Sequence, residues 1–289
     1  MNIRDNSLAS LFHYLKAGLH GIYDDREALN ITRLFFEKTF GLKAVDIVLQ
    51  AGRQFSESEI LQVHFALKEL KNFKPIQHIT GRTDFMGMEI KVNEHVLIPR
   101  PETEELVRLA ASRCPDSEET MVLDIGTGSG CIALGLKKLK PSVRIKGIDI
   151  SDQALEVARE NGRLLNLPVL FEKGDALRLP ALVGVYDLIV SNPPYIARKE
   201  AAQMEENVLK HEPALALFAP EEDVLAFYRA MAAHAASALK PGGWLMMEIN
   251  PAHSDAIAGV FEKNGLHEVK IYHDLQDRPR ICTGRCIGA

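Results

Sequence analysis

Met121-Val122-Leu123-Asp124-Ile125-Gly126-Thr127-Gly128-Ser129-Gly130 is a short apolar run that breaks into glycines at alternate positions. The run has the length and character of a buried strand, and the amphipathic stretch Cys131–Lys138 behind it predicts a helix. The same alternation continues toward the C-terminus. Strands are expected at Met121–Ile125, Val143–Ile150, Val169–Glu172, Tyr186–Ser191, Gly243–Ile249, His267–Tyr272 and Arg280–Thr283. Helices are expected between them at Cys131–Lys138, Asp152–Leu165, Asp223–Leu239 and Ser254–Asn264. Short apolar strands separated by amphipathic helices imply an α/β domain with a mostly parallel, seven-stranded sheet covered on both faces. In such Rossmann-like sheets ligands sit beyond the carboxyl ends of the strands, so the loops after the strands carry the chemistry.

The first of these loops is Gly126-Thr127-Gly128-Ser129-Gly130. Glycines allow a tight turn and a close approach of backbone to ligand. The second strand ends at Asp149, 19 residues past Gly130, where a carboxylate can accept from both hydroxyls of a ribose. A nicotinamide-binding G-x-G-x-x-G loop would need glycine at position 131, which is Cys131. The G-x-G-x-G spacing instead resembles the first motif of S-adenosylmethionine (SAM)-dependent methyltransferases. After the third strand, Asp175 and Ala176 stand where an adenine amino group could be met, although Asp175 could equally serve as a turn residue.

The loop after the fourth strand reads Ser191-Asn192-Pro193-Pro194-Tyr195. Two prolines stop sheet pairing and stiffen the backbone. That stiffness can aim the Asn192 side-chain carbonyl and the Pro193 backbone carbonyl at one point, which suits a planar –NH2 group with two hydrogens to donate. Tyr195 is expected to supply an aromatic face. An amide or aromatic amine nitrogen is a poor nucleophile because its lone pair is delocalised. Hydrogen bonds to both N–H groups favour a pyramidal nitrogen, and holding it in line makes the transfer effectively unimolecular. The acceptors also stabilise the positive charge developing on nitrogen.

Upstream, Leu8, Leu11, Phe12, Leu15, Leu19 and Ile22 fall at helical spacing. Asp24 with Glu27 and Ser56 with Glu59 are helix-start signals, and Gly41 is a stop. This predicts a small helical domain over 1–74. Gln77–Thr80, Phe85–Ile90 and Val96–Ile98 read as extended, giving a β-hairpin linker over 75–98 before a methyl-transfer domain over 99–289. Ile98-Pro99-Arg100-Pro101-Glu102-Thr103 is a proline-bracketed entry to a helix ending about Cys114.

The 289 residues carry 34 Lys and Arg against 39 Asp and Glu. Up to residue 80 there are 10 basic and 9 acidic residues, and 24 and 30 after it. Neither part is basic, which weighs against a dedicated nucleic-acid binder. No stretch has the length of a membrane span, and the N-terminus lacks a signal-peptide pattern, so a cytoplasmic location is expected. The four cysteines form no C-x-x-C pair and no histidine cluster has metal-ligand spacing, so reduced thiols and no metal are expected.

Taken together the residues resemble the PrmC/HemK family, the protein-(glutamine-N5) methyltransferases of peptide-chain release factors. The resemblance runs through Pro75-Ile76-Gln77-His78-Ile79-Thr80-Gly81, Ile98–Glu104, the glycine loop, Asn192–Tyr195, His211-Glu212-Pro213 with Ala214-Leu215, and Asp274-Leu275 with Arg278-Pro279-Arg280. It implies SAM as cofactor, held by Gly126–Gly130, Asp149, Asp175, Ala176 and Asn192. It implies as substrate the glutamine of the Gly-Gly-Gln tip of bacterial class 1 release factors, held by Asn192, Pro193, Pro194 and Tyr195. Arg100 and Glu102 lie in the family signature, Arg100 as a contact to the substrate backbone and Glu102 as a residue orienting the loop, with a structural ion pair as the alternative role for both. Three positions depart from the pattern. Ala176 replaces an aromatic, Phe218-Ala219-Pro220 replaces a glycine-bearing run, and Asp277 replaces a glycine. The alternative reading is a DNA or RNA amino-group methyltransferase, since adenine offers the same two donors. Such an enzyme must expel a base and grip phosphates, usually with added basic segments that are not evident here. A non-catalytic SAM-binding adaptor is disfavoured by the intact acceptor loop.

Overall fold

A computed structural model of the chain describes residues 5–220 and 223–287. It divides into two compact units, one running to Arg82 with Glu205–His211 added, the other comprising Thr83–Met204 and Glu212 onward.

The first unit is helical: α1 (Leu8–Gly18), α2 (Asp25–Phe40), α3 (Ala44–Leu49), α4 (Glu57–Lys71), α5 (Ile76–Thr80) and, later in the chain, α9 (Glu206–His211). The start signals work as capping chemistry requires. Asp24 Oδ1 accepts from the Glu27 N–H at 2.7 Å, and Ser56 and Glu59 form a reciprocal capping box. Gly41 closes α2 in the left-handed conformation. Leu8, Leu11, Leu15, Leu19, Phe35, Phe36, Val63 and Leu70 are buried in one core, each worth about 1.5–3 kcal/mol of transfer free energy.

Gln77–Thr80, expected to be extended, is instead the helical turn α5. Pro75 supplies a pre-set φ at the helix start, the Thr80 hydroxyl donates back to the Ile76 carbonyl at 3.0 Å, and Gly81 caps at φ 72°. The hairpin that follows is shorter than the expected linker: β1 (Arg82–Phe85) and β2 (Met88–Lys91), joined through Met86 and Gly87, both at positive φ. Val96–Ile98 pairs with no strand among the described residues. The Ile98 N–H is taken by the Glu212 side chain at 3.2 Å, which removes it from any ladder.

The rest of the second unit is α6 (Pro101–Arg113), β3 (Met121–Ile125), α7 (Cys131–Leu139), β4 (Arg144–Asp149), α8 (Asp152–Leu164), β5 (Leu170–Lys173) and β6 (Tyr186–Ser191). It continues with α10 (Ala214–Leu217), α11 (Ala226–Ala238), β7 (Leu239–Glu248), α12 (Ser254–Lys263), β8 (His267–His273) and β9 (Pro279–Arg285). The seven-stranded sheet has the order β5-β4-β3-β6-β7-β9-β8, and β9 runs opposite in direction to the other six strands. The α/β, Rossmann-like expectation is met. The first helix after Pro220 begins at Ala226 rather than Asp223, whose carboxylate accepts from the Leu225 N–H in a preceding turn. Glu221 and Glu222 lie outside the described residues.

One face of the sheet is packed by Leu106, Val107, Ile132, Leu134, Leu155 and Ala158, joined by Phe85 and Ile90 of the hairpin. The other is packed by Tyr228, Met231, Ala235, Ile257 and Phe261. Strand order reverses at β3, which lies between β4 and β6, so the loops after β3, β4 and β6 converge at the switch point where such sheets bind ligands. The Ser191 hydroxyl donates to the Ile125 carbonyl at 2.7 Å and ties the ends of β3 and β6 together.

Gly130 shows why the turn into α7 must be glycine. A Cβ there would lie 2.9 Å from Phe171 Cζ and 3.2 Å from the Ala158 methyl, at φ +81°. Gly130→Ala is expected to cost about 1–3 kcal/mol by overpacking, read as a lower denaturant midpoint. An unshifted midpoint would contradict this packing.

Candidate active site

A cavity of about 640 Å³ opens at this switch point, within the range of small-molecule sites. Gly126, Thr127, Gly128, Ser129, Asp149, Asp175, Ala176, Asn192, Pro193, Pro194 and Arg100 all line it. The structure thus brings together most of the residues singled out from the sequence. Gly130 lies under the turn, and Tyr195 and Glu102 are not on the cavity wall.

The glycine loop is held from below. The N–H groups of Gly126 and Thr127 both donate to the Ile148 carbonyl at 2.9 Å. Gly128, at φ +55°, has no neighbouring heavy atom within 4 Å of where a Cβ would stand, so bare backbone faces open space. Its N–H donates to Asp149 Oδ2 at 2.9 Å, while the Ser151 N–H donates to Oδ1 at 2.9 Å. Asp149 is therefore held by backbone N–H groups on both oxygens, and the carboxylate retains lone-pair capacity for a further donor. Burial pushes its carboxyl up, and the bonds from Ser151, Gly128 and Ile150 oppose that rise. Asn161, buried on α8, donates to the Ser129 carbonyl at 2.9 Å and binds both backbone groups of Lys91, linking the loop to the hairpin.

Under the loop lies Asp124, fully buried. Its Oδ2 accepts from the Thr127 hydroxyl at 2.6 Å and the Ala133 N–H at 3.3 Å, and its Oδ1 has no partner. Desolvation pushes this carboxyl up to about 7. A raised acid holds its proton in the folded state after the unfolded chain has released it. Stability therefore falls as pH rises from the ordinary carboxylate range to about 7. Asp124→Asn removes that ionisation. Its thermal midpoint relative to the unsubstituted protein is expected to rise between pH 5 and pH 8, and a pH-independent difference would refute the assignment.

The acceptor loop is held from behind. Asn192 Nδ2 donates to Thr103 Oγ1 at 3.3 Å, and its Oδ1 carbonyl has no donor among the described residues. The Thr103 hydroxyl donates to Glu248 Oε2 at 2.8 Å, and the Tyr195 hydroxyl donates to Glu248 Oε1 at 3.2 Å. Tyr195 was expected to present its ring to the substrate. It instead packs against the sheet's second core, and burial and the Glu248 carboxylate push its phenol pKa up. Glu248 captures its hydroxyl, and its ring stands off the cavity wall.

Arg100 faces the cavity and donates to Glu212 Oε1 at 2.5 Å, so of its two expected roles the ion pair is present. Glu212, with 1 % of its side chain exposed, also takes the Ile98 N–H and anchors the proline-bracketed segment. Asp175 lines the cavity while its Oδ1 accepts from the Leu177 N–H, so it is a turn former as well. Asp277 sits at φ 60°, in the left-handed region that favours glycine. Among the described residues no group of three or more His, Cys, Asp or Glu is placed to hold a metal, and no helix is long and apolar enough to cross a membrane. The four cysteines are free.

SAM fits these residues. The open glycine backbone, a carboxylate preset to receive two hydroxyls, and apolar walls at Ile132, Ile150, Ala176 and Leu177 match its amino-acid, ribose and base parts.

Comparison with known proteins agrees. The methyltransferase small domain family matches residues 105–215, and the PrmC N-terminal domain family matches residues 10–81. A methyltransferase structure from Pyrococcus furiosus superposes with a TM-score of 0.52 at 16% identity, covering 81% of this chain and 100% of that one, which supports the fold. The release factor glutamine methyltransferase of Streptococcus pneumoniae is 40% identical over 258 residues, covering 89% of this chain and 90% of its own. That of Bacteroides thetaiotaomicron is 39% identical over 271 residues, 93% of this chain and 97% of its own. Identity at that level over almost the whole of both chains means that this chain belongs to the release factor glutamine methyltransferase family.

Proposed function

We propose that this protein transfers a methyl group from SAM to the side-chain amide nitrogen of the glutamine in the Gly-Gly-Gln tip of class 1 release factors. The observation that carries this reading is the polarity of Asn192. Its –NH2 end is committed to Thr103, so its carbonyl is the end left for an incoming donor, on the same cavity as Asp149 and the glycine loop. A primary amide brings two N–H donors, and Asn192 with the Pro193 carbonyl receives them. Bound in the Gly126–Gly130 and Asp149 pocket, SAM supplies a methyl on a positively charged sulfur. The residues of this chain do the rest. Asn192 and Pro193 draw the nitrogen lone pair out of conjugation and hold it toward the cofactor side. Their oxygens stabilise the charge that develops on nitrogen, which afterwards loses one proton.

The helical unit, whose residues 10–81 match the PrmC N-terminal domain family, would recognise the body of the release factor. Such a reaction belongs in the cytoplasm, where release factors act. Mass spectrometry of a purified class 1 release factor after incubation with this protein and SAM tests the proposal. One added methyl on the Gly-Gly-Gln glutamine is expected, with an adenine-containing oligonucleotide left unmodified. Methylation of the oligonucleotide alone would overturn it.

A further inference from the structure

We infer that Thr103 and Glu248 form a buried relay that fixes which end of the Asn192 amide meets the substrate, and so makes the site select glutamine over glutamate. The inference rests on the proposed function and adds the source of its selectivity. Both residues are buried, each with 2% of its surface exposed, and they come from α6 and the end of β7, 145 residues apart.

The logic is one of hydrogen-bond polarity. An ionised carboxylate only accepts, and a threonine hydroxyl has one hydrogen to give. With the Thr103 hydrogen committed to Glu248 Oε2, the lone pairs of Thr103 Oγ1 are left to accept. The group facing Thr103 must then be a donor, so Asn192 places its Nδ2 there and turns its Oδ1 away. Without the relay the amide could rotate and present N–H groups to the substrate. Donors would then meet the –NH2 of a glutamine, whereas a glutamate carboxylate would be accepted. Glu248 holds the loop at a second point. Its Oε1 takes the Tyr195 hydroxyl, and Asn250 Nδ2 donates to the Tyr195 carbonyl at 3.3 Å. The loop is thus gripped at Asn192 and Tyr195, with the two stiff prolines spanning the interval. Burial pushes the Glu248 carboxyl up, opposed by the Thr103 and Tyr195 hydroxyls and the nearby Arg280 charge, and a hydroxyl donor on each of its oxygens holds it as an acceptor.

The test uses the full chain with SAM and two peptides ending a loop in Gly-Gly-Gln or Gly-Gly-Glu. Thr103→Val is expected to lower kcat on the glutamine peptide about 10–100-fold, the cost of a misaligned contact. It should also compress the preference for glutamine over glutamate in peptide binding. Thr103→Ser, which restores the hydroxyl, should return both quantities to within about threefold, and SAM affinity by calorimetry should hold in each variant. The relay is overturned if Thr103→Val keeps both quantities, if Thr103→Ser is as defective as Thr103→Val, or if SAM affinity falls in step with kcat. Should Thr103→Val fail to fold, Glu248→Gln decides on the same readouts. It leaves one acceptor oxygen for two hydroxyls, and wild-type kcat and preference in that variant would overturn the relay. An unsubstituted protein that binds the glutamine peptide selectively but never methylates it would count against the proposed function and leave the relay standing.

Discussion

Asn192→Ala is expected to cut methyl transfer to the Gly-Gly-Gln glutamine by about 10²–10³-fold, the cost of losing one preorganised partner of a developing charge. SAM binding should change by less than about threefold, since the glycine loop and Asp149 are held by bonds that do not pass through Asn192. The loss should fall on kcat more than on KM, because the bond that Asn192 makes grows stronger as positive charge develops on nitrogen. Single-turnover kinetics with the release factor in excess separates these effects. A variant that turns over at the original rate would remove Asn192 from the mechanism. Asn192→Asp is a sharper companion. A carboxylate beside Thr103 has no hydrogen to give, so it would compete with Glu248 for the Thr103 hydroxyl.

The second large effect concerns Asp149. Asp149→Ala removes the carboxylate proposed to receive the ribose, and one charge-assisted bond of that kind is worth about 1.5–3 kcal/mol. SAM affinity is expected to fall about 10–100-fold, measured by calorimetry, with a matching loss of the thermal shift that SAM confers. The substitution also releases the Gly128 and Ser151 N–H groups, so the loss includes slackening of the glycine loop. Asp149→Asn keeps one acceptor and should fall between the two. Undiminished affinity in Asp149→Ala would move the cofactor to other residues.

The parts of this site legible in the sequence were those whose chemistry is local. Alternating glycines after an apolar strand, a carboxylate at the end of the next strand, and Asn-Pro-Pro after a fourth strand each state their purpose within a few residues. All of them reach one cavity because the parallel sheet puts its strand ends together. The groups that set the orientation were hidden by distance along the chain. Asn192 finds Thr103 across 89 residues, and Ile98 finds Glu212 across 114. No spacing rule connects such pairs. Glu248 left one signal, a carboxylate closing the apolar run Trp244–Met247 in a strand buried on both faces. A charge in that place needs a partner or a task.

Other departures have the same origin. Tyr195 stands off the cavity wall with its hydroxyl taken by Glu248. Gln77–Thr80 carries two β-branched residues that read as strand, yet Pro75 and Gly81 bracket a single helical turn. Local propensity gave way to the cap residues. Val96–Ile98 lost its strand because a side chain from a distant segment took the backbone donor.

The most direct measurement is a crystal structure of this protein with S-adenosylhomocysteine and a Gly-Gly-Gln peptide. The glutamine nitrogen is expected within hydrogen-bond distance of Asn192 Oδ1 and the Pro193 carbonyl, with Asn192 Nδ2 still on Thr103. A glutamine seated away from that pair, or an Asn192 turned to offer its –NH2 end to the peptide, would contradict it.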